Sequence, residues 1–291
     1  MVRTDAVLPT VSGQFGRPAT ISVPKSAPSG KFVVAPQTQG RGRSANTGDV
    51  VVVRYTAKVW RTGKALPGSY DKGARPQVFA VGQGATLPAL DRAVQGQRAG
   101  SRVLVVAPPA AAYGTTGNAQ LHVNDKDTVV FAVDILNVIG AHALVPGKQH
   151  SVSDALPEVR MNEGDGTATL SVPDQAAPKG LVVKRLVDGT GPVVKAGQNL
   201  VLQHSSAAWE PARGEDEAHL FLSSHADGGP LPVVIGRGNV IPGWDRALVG
   251  QRVGSRILAV IPAKLAYGPH PPKGLAPGAT VISVFDILAA T

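Results

Sequence analysis

Runs of β-branched and apolar residues alternate along this chain with short stretches rich in glycine, proline and small polar residues. Val50-Val-Val-Val-Arg-Tyr-Thr-Ala-Lys-Val-Trp60 has the composition of a strand, and so do Arg102–Ala107, Thr128–Ile139, Ser255–Ile261 and Thr280–Leu288. Two places follow a helical spacing instead: Leu87, Leu90 and Val94, and later Ile241, Trp244 and Leu248. Thr86 is placed to cap the first helix, while Gly96 and Gly250 are placed to stop them. Many strands with one short helix per half predict an α+β arrangement of antiparallel sheets.

The pattern is duplicated. From Asp91 to Gly114 against Asp245 to Gly268, 15 of 24 positions are identical without a gap. Gly48–Trp60 matches Gly197–Trp209, and Thr128–Leu136 matches Thr280–Leu288. Solenoid units are shorter and more numerous, so these are two copies of one domain. The expected division is 1–140 for the first domain, 141–155 for a polar, small-residue linker, and 156–291 for the second.

Composition then removes whole classes. There is no cysteine, which excludes a disulfide scaffold and a thiolate metal site. The seven histidines show no metal-ligand spacing and are expected on the surface, and no metal or cofactor is implied. Val103–Tyr113 is too short, and too interrupted by Pro108 and Pro109, to span a bilayer. No apolar segment follows Met1-Val-Arg-Thr-Asp5, so no signal peptide is expected from the sequence. The net charge of +9 is unevenly placed. Residues 1–150 hold 17 Lys and Arg against 7 Asp and Glu, a net +10, whereas residues 151–291 hold 12 against 13. The first half should be drawn to acidic surfaces, but its basic residues are scattered among few aromatics, and specific nucleic-acid recognition is not expected.

Covalent catalysis finds no triad motif. Gly82-Gln-Gly84 and Gly236-Arg-Gly238 lack the third glycine of a dinucleotide loop and precede short helices in an antiparallel context. Asp91 and Asp245, with the arginines beside them, read as helix-surface charges, and Glu215-Asp-Glu217 as a solvated loop. Trp60 and Trp209 recur at strand ends and read as structural.

One set of motifs remains. Gly236-Arg-Gly-Asn-Val-Ile-Pro-Gly-Trp-Asp245, then Val249-Gly-Gln-Arg-Val-Gly-Ser255, Ala266-Tyr-Gly268 and Phe285-Asp-Ile-Leu288 resemble the FKBP family of peptidyl-prolyl cis-trans isomerases. The resemblance covers roughly 30–139 and 180–289. Segments 8–29 and 156–179 are similar to the N-terminal extension of FKBP-type lipoproteins of the actinobacterial envelope, which implies an envelope or secreted location, with the cytoplasm as the alternative.

The resemblance implies two FKBP-like domains, each a curved antiparallel sheet wrapping one short helix around an apolar basin. It implies proline-containing segments as partners and a macrolide as a ligand. In the second copy it assigns the basin to Trp244, Ile241, Val240, Tyr267 and Phe221. There His204 replaces the family's Tyr, Leu222 its Asp, Leu231 an aromatic and Ser283 a Phe. In the first copy Tyr55, Tyr113 and Phe131 match, while Leu66-Pro67 replaces Phe-Asp, Gln77 an aromatic, Thr86-Leu87 the Val-Ile and Leu90 the Trp. Isomerase activity is therefore expected mainly in the second domain. The alternative is a peptide-binding or chaperone module without catalysis.

Overall fold

The computed structural model describes residues 7–162, 166–210 and 217–291. The N-terminal pentapeptide, together with Glu215 and Asp216 of the acidic run, lies outside the described residues, and Glu217 is exposed. Two compact units divide at Ile139 and Gly140.

The first unit contains strands β1 (Thr10–Ser12), β2 (Thr20–Ser22), β3 (Val33–Thr38), β4 (Val50–Val59), β5 (Ala65–Leu66) and β6 (Gln77–Ala80), then helix α1 (Pro88–Val94), β7 (Arg102–Ala107) and β8 (Val129–Ile139). The second repeats them as β9 (Glu158–Met161), β10 (Ala168–Ser171), β11 (Val182–Val187), β12 (Asn199–Ala208), β13 (Leu220–Ser223), β14 (Leu231–Val234), α2 (Pro242–Leu248), β15 (Arg256–Ile261) and β16 (Val281–Ala290). Each unit is built on a six-stranded antiparallel sheet. The first runs β3-β7-β8-β4-β5, with β6 also on β4; the second runs β11-β15-β16-β12-β13, with β14 on β12. These are the two copies of one α+β domain that the duplicated pattern predicts. Among the described residues no helix is long and apolar enough to cross a membrane.

Both faces of each sheet are covered, which explains the near-continuous apolar runs. One face packs on the helix through Val51, Val53, Ala57, Val103, Val105, Phe131 and Val133. The other is covered by the β1–β2 hairpin, through Ile21, Trp60, Leu104, Val106 and Val130. In the second unit Leu202, Ile257, Ala259 and Phe285 face the helix, and Leu258, Val260, Ile282 and Val284 face the β9–β10 hairpin. Trp60 and Trp209 are buried, and their indole N–H groups donate to the Ser26 and Gln175 carbonyls at 2.9 and 3.0 Å.

Each helix has a proline at its first position, where no N–H is needed. Gly96 and Gly250 follow with φ of 73° and 88°, a region open to glycine at little cost. Thr86 does not cap α1. The N-cap residue is Leu87, with no side-chain bond, and the Thr86 hydroxyl is turned to Gln77 Oε1 at 3.5 Å.

Three polar placements depart from the sequence expectation. Asp91 is buried: its two oxygens accept the Gly82 and Gly84 N–H groups at 2.6 and 3.1 Å. Asp245 does the same for Gly236 and Gly238 at 2.6 and 2.9 Å. The Gly-x-Gly turns thus present their N–H groups to a carboxylate of their own chain. The third departure is His204, which is buried rather than at the surface.

Residues 141–155, expected as a linker, lie within the second unit. The Val145 N–H donates to Asp286 Oδ2 at 2.8 Å, and the His150 N–H to the Leu186 carbonyl at 2.7 Å.

Candidate functional site

In the second unit the Asp245 carboxylate ties down the loop 236–238 that leads into α2. Val240 and Ile241 end that loop. Pro242 holds Ile241 in an extended conformation, φ −58° and ψ 144°, so both side chains lie ahead of the helix and not along its buried stripe. One turn later Trp244 faces the sheet. Gly243 is needed for this approach, since a Cβ there would meet Ile261 Cγ2 at 2.2 Å.

Val240, Ile241, Trp244 and Tyr267 line a cavity of about 410 Å³. Trp244 is its floor, 5% exposed. Two rings grip the indole edge to face: His204 with centroids 5.1 Å apart and Phe285 at 4.8 Å. Phe221 meets Tyr267 edge to face at 6.1 Å. Four of the five residues assigned to the second basin line this cavity, and Phe221, which meets Tyr267, lines a neighbouring one. Leu231 packs on the same core. Leu222 lies on that neighbouring cavity with Phe221, His142 and His225. Ser283 is fully buried, and its hydroxyl pairs with that of Ser206 at 2.7 Å.

Burial pushes the His204 imidazole down to about 4, with the nearby His225 adding to the shift, so the ring is neutral near pH 7. Burial alone raises the Tyr267 hydroxyl above its usual range, which keeps it a donor. Among the described residues, Trp244 Nε1 and His204 Nδ1 have no hydrogen-bond partner. Each such buried group costs roughly 1–3 kcal/mol, so this floor is not optimised as core alone.

The first unit brings Tyr55, Leu66, Leu87, Leu90, Tyr113 and Phe131 together as well, but as packing. Leu66, Leu90 and Phe131 are buried, and Tyr55, Leu87 and Tyr113 pack against them. Leu90 is 0% exposed. Tyr55 lies edge-on to Phe131 at 5.8 Å. Burial, with Asp71 nearby, raises the Tyr55 hydroxyl; burial, with Tyr55 nearby, raises that of Tyr113.

Several supporting residues escaped the sequence reading. The Tyr55 N–H donates to Ser69 Oγ at 2.7 Å, and the His204 N–H to Ser224 Oγ at 2.9 Å, so each hairpin serine pins a basin residue. Buried Arg102 and Asp134 pair at 2.6 Å, as do Arg256 and Asp286. The signal available was identity between the two copies at positions with no surface pattern to explain it.

A family model described as FKBP-type peptidyl-prolyl cis-trans isomerase matches residues 41–136 and 197–288. An FK506-binding protein from Streptomyces anulatus is 39% identical over 40% of this chain and 91% of its own length. Peptidyl-prolyl cis-trans isomerase FKBP10 of Mus musculus is 27% identical over 86% of this chain, which spans only 35% of that protein. A crystal structure of the three FKBP domains of wheat FKBP73 covers 90% of this chain and 96% of its own at 19% identity, with a TM-score of 0.37.

Proposed function

The chain belongs to the FKBP-type peptidyl-prolyl cis-trans isomerase family, and from that premise we propose that its second unit exchanges cis and trans X-Pro bonds in protein segments. The first unit, in this reading, binds or spaces and contributes little catalysis. The observation that carries the proposal is the contrast in floors: Trp244 lines an open cavity, whereas Leu90 in the same place is sealed in the core.

The chemistry asks for little more than such a basin. Rotation about an X-Pro bond must break amide conjugation, a barrier of about 18–20 kcal/mol. No proton need be moved and no nucleophile is required. A dry, apolar pocket that holds the twisted amide better than the planar one lowers that barrier, and about 4 kcal/mol of such preference gives a thousandfold acceleration. Val240, Ile241 and Phe221 exclude water around the prolyl ring, Trp244 carries it, and the protonated Tyr267 hydroxyl is a donor for a substrate carbonyl.

The full chain should accelerate refolding limited by X-Pro isomerisation, and Trp244→Leu should remove at least about nine-tenths of that rate, about 1.4 kcal/mol of barrier. A second reading has its own support: neither copy carries an acid at the hairpin, where Leu66-Pro67 and Leu222 stand. If refolding rates do not change while aggregation of a client is suppressed, the chain is a peptide-binding module and the isomerase reading fails. The basin of the second unit is also the expected seat for FK506, detectable as a change in Trp244 fluorescence.

A further inference from the structure

Along β12 the side chains alternate between the two faces of the sheet. Leu200, Leu202 and His204 turn to the helix, while Gln203 turns the other way. Gln203 is 3% exposed, a buried amide that must be satisfied locally. Its Nε2 donates to the Ala141 carbonyl at 2.6 Å, and its Oε1 accepts the Ser224 hydroxyl. That hydroxyl oxygen in turn accepts the His204 N–H at 2.9 Å, and the Ser224 N–H donates back to the His204 carbonyl at 3.0 Å.

On the adjacent strand the register sets Gln203 directly opposite Asp286, and His204 directly opposite Phe285. Asp286 accepts the Val145 N–H at 2.8 Å and is paired with Arg256, whose Nη1 reaches Gln149 Oε1 at 3.3 Å. Residues 141–149 are thus bonded to one cross-strand pair, and the next pair along the same two strands grips Trp244.

The first unit builds the equivalent place from other parts. Arg54 stands for Gln203, opposite Asp134. Asp134 accepts the Tyr70 hydroxyl and the Gly16 N–H from the β1–β2 hairpin, while Arg54 lies over the Tyr70 ring. Arg54 and Tyr70 thus stand in the first unit where Gln203 stands in the copy with the tryptophan floor.

We propose that residues 141–149 form a positioning strap for the second basin, acting through Gln203 and Asp286 on the His204–Phe285 pair that holds Trp244. Gln203 is a positioning residue: it is not among the side chains that line the cavity. The strap rests on the isomerase reading for its kinetic consequence but not for its structural one.

The test uses the full chain labelled with 5-fluorotryptophan, the Trp244 resonance being assigned with Trp244→Phe. Gln203→Met keeps volume and removes both amide bonds. It should shift the Trp244 ¹⁹F resonance and lower kcat for X-Pro exchange about fivefold or more, with KM changed less than about twofold. Arg54→Met, at the same place in the first unit, should move neither. A Gln203→Met chain that loses thermal stability but keeps both the Trp244 resonance and kcat overturns the strap, because the segment is then only structural. If Gln203→Met does not fold, Val145→Pro removes the N–H that this segment gives to Asp286 and decides the matter by the same two readouts. If the parent chain has no isomerase activity, the functional reading falls and the ¹⁹F shift alone decides the strap.

Discussion

The two basins share a scaffold and fill its centre in opposite ways. In the second unit the row beneath the helix is His204, Phe285 and Ile257, and the next row is Ser206, Ser283 and Ala259. In the first unit those rows are Tyr55, Val133 and Val103, then Ala57, Phe131 and Val105. The aromatic on the last strand has moved by one row. Phe285 sits where it can meet Trp244, while Phe131 sits in the neighbouring row and meets Tyr55.

The helices compensate at a second point. Gly243 packs on Ile261, and the corresponding residues of the first unit are Ala89 and Ala107, both in its buried core. Interiors are packed to the density of organic crystals, so one enlarged side chain requires a reduced one nearby. Opening or closing the floor is thus a change in several residues at once. The first copy differs by more than a tryptophan; its core is packed around Leu90.

The largest break in the comparison comes from what the copies share. Arg256→Met strands a buried Asp286 and should cost about 3–5 kcal/mol in the second unit only. Denaturant unfolding followed at Trp209 and Trp244 should move, while the signal from Trp60 stays. If both move together, the units do not unfold independently.

The packing of the first core is tested by Leu90→Trp, which inserts the second unit's floor into the first. It should destabilise the first unit by about 1–3 kcal/mol through overpacking. Adding Phe131→Ser should recover part of that loss, with non-additivity measurable in a double-mutant cycle. Strictly additive effects would show that the two positions are not coupled.

The smallest effect is a pH dependence confined to one copy. The folded His204 stays neutral down to about pH 4, while an unfolded imidazole takes up its proton near 6.5. Protons therefore favour the unfolded chain in that window, and stability falls as pH drops through it. The contribution should be about 1 kcal/mol at about pH 6 relative to a non-titrating chain. His204→Gln should flatten the decline for the second unit; an unchanged slope would mean that other groups govern it.

Much of this was legible in the residues. Strand runs such as Val50–Trp60 and the repeat of Asp91–Gly114 at Asp245–Gly268 mark the elements and their duplication. Val240, Ile241, Trp244 and Tyr267 carried the basin. Asp91, Asp245, Arg102 and Arg256 were not legible as partnered, structural charges, because a charge reveals its role only through a partner that local pattern does not name. Arg256 lies 30 residues from Asp286, and Val145 lies 141 residues from it. Gln203 looked like any strand polar residue for the same reason.

The two-domain plan, the strand and helix pattern, and the identity of the copy that keeps an indole at the floor are all written in the residues themselves. The first two follow from local periodicity and from the repeat, and the floor position of Trp244 from the family resemblance of motifs that lie close together along the chain. Folding in three dimensions settled which aromatics touch, that Ser283 is closed off while Leu90 is sealed, and that residues 141–149 lie behind the second basin. These depend on cross-strand register, where a shift of one residue exchanges core for surface, and no single stretch of sequence contains that information.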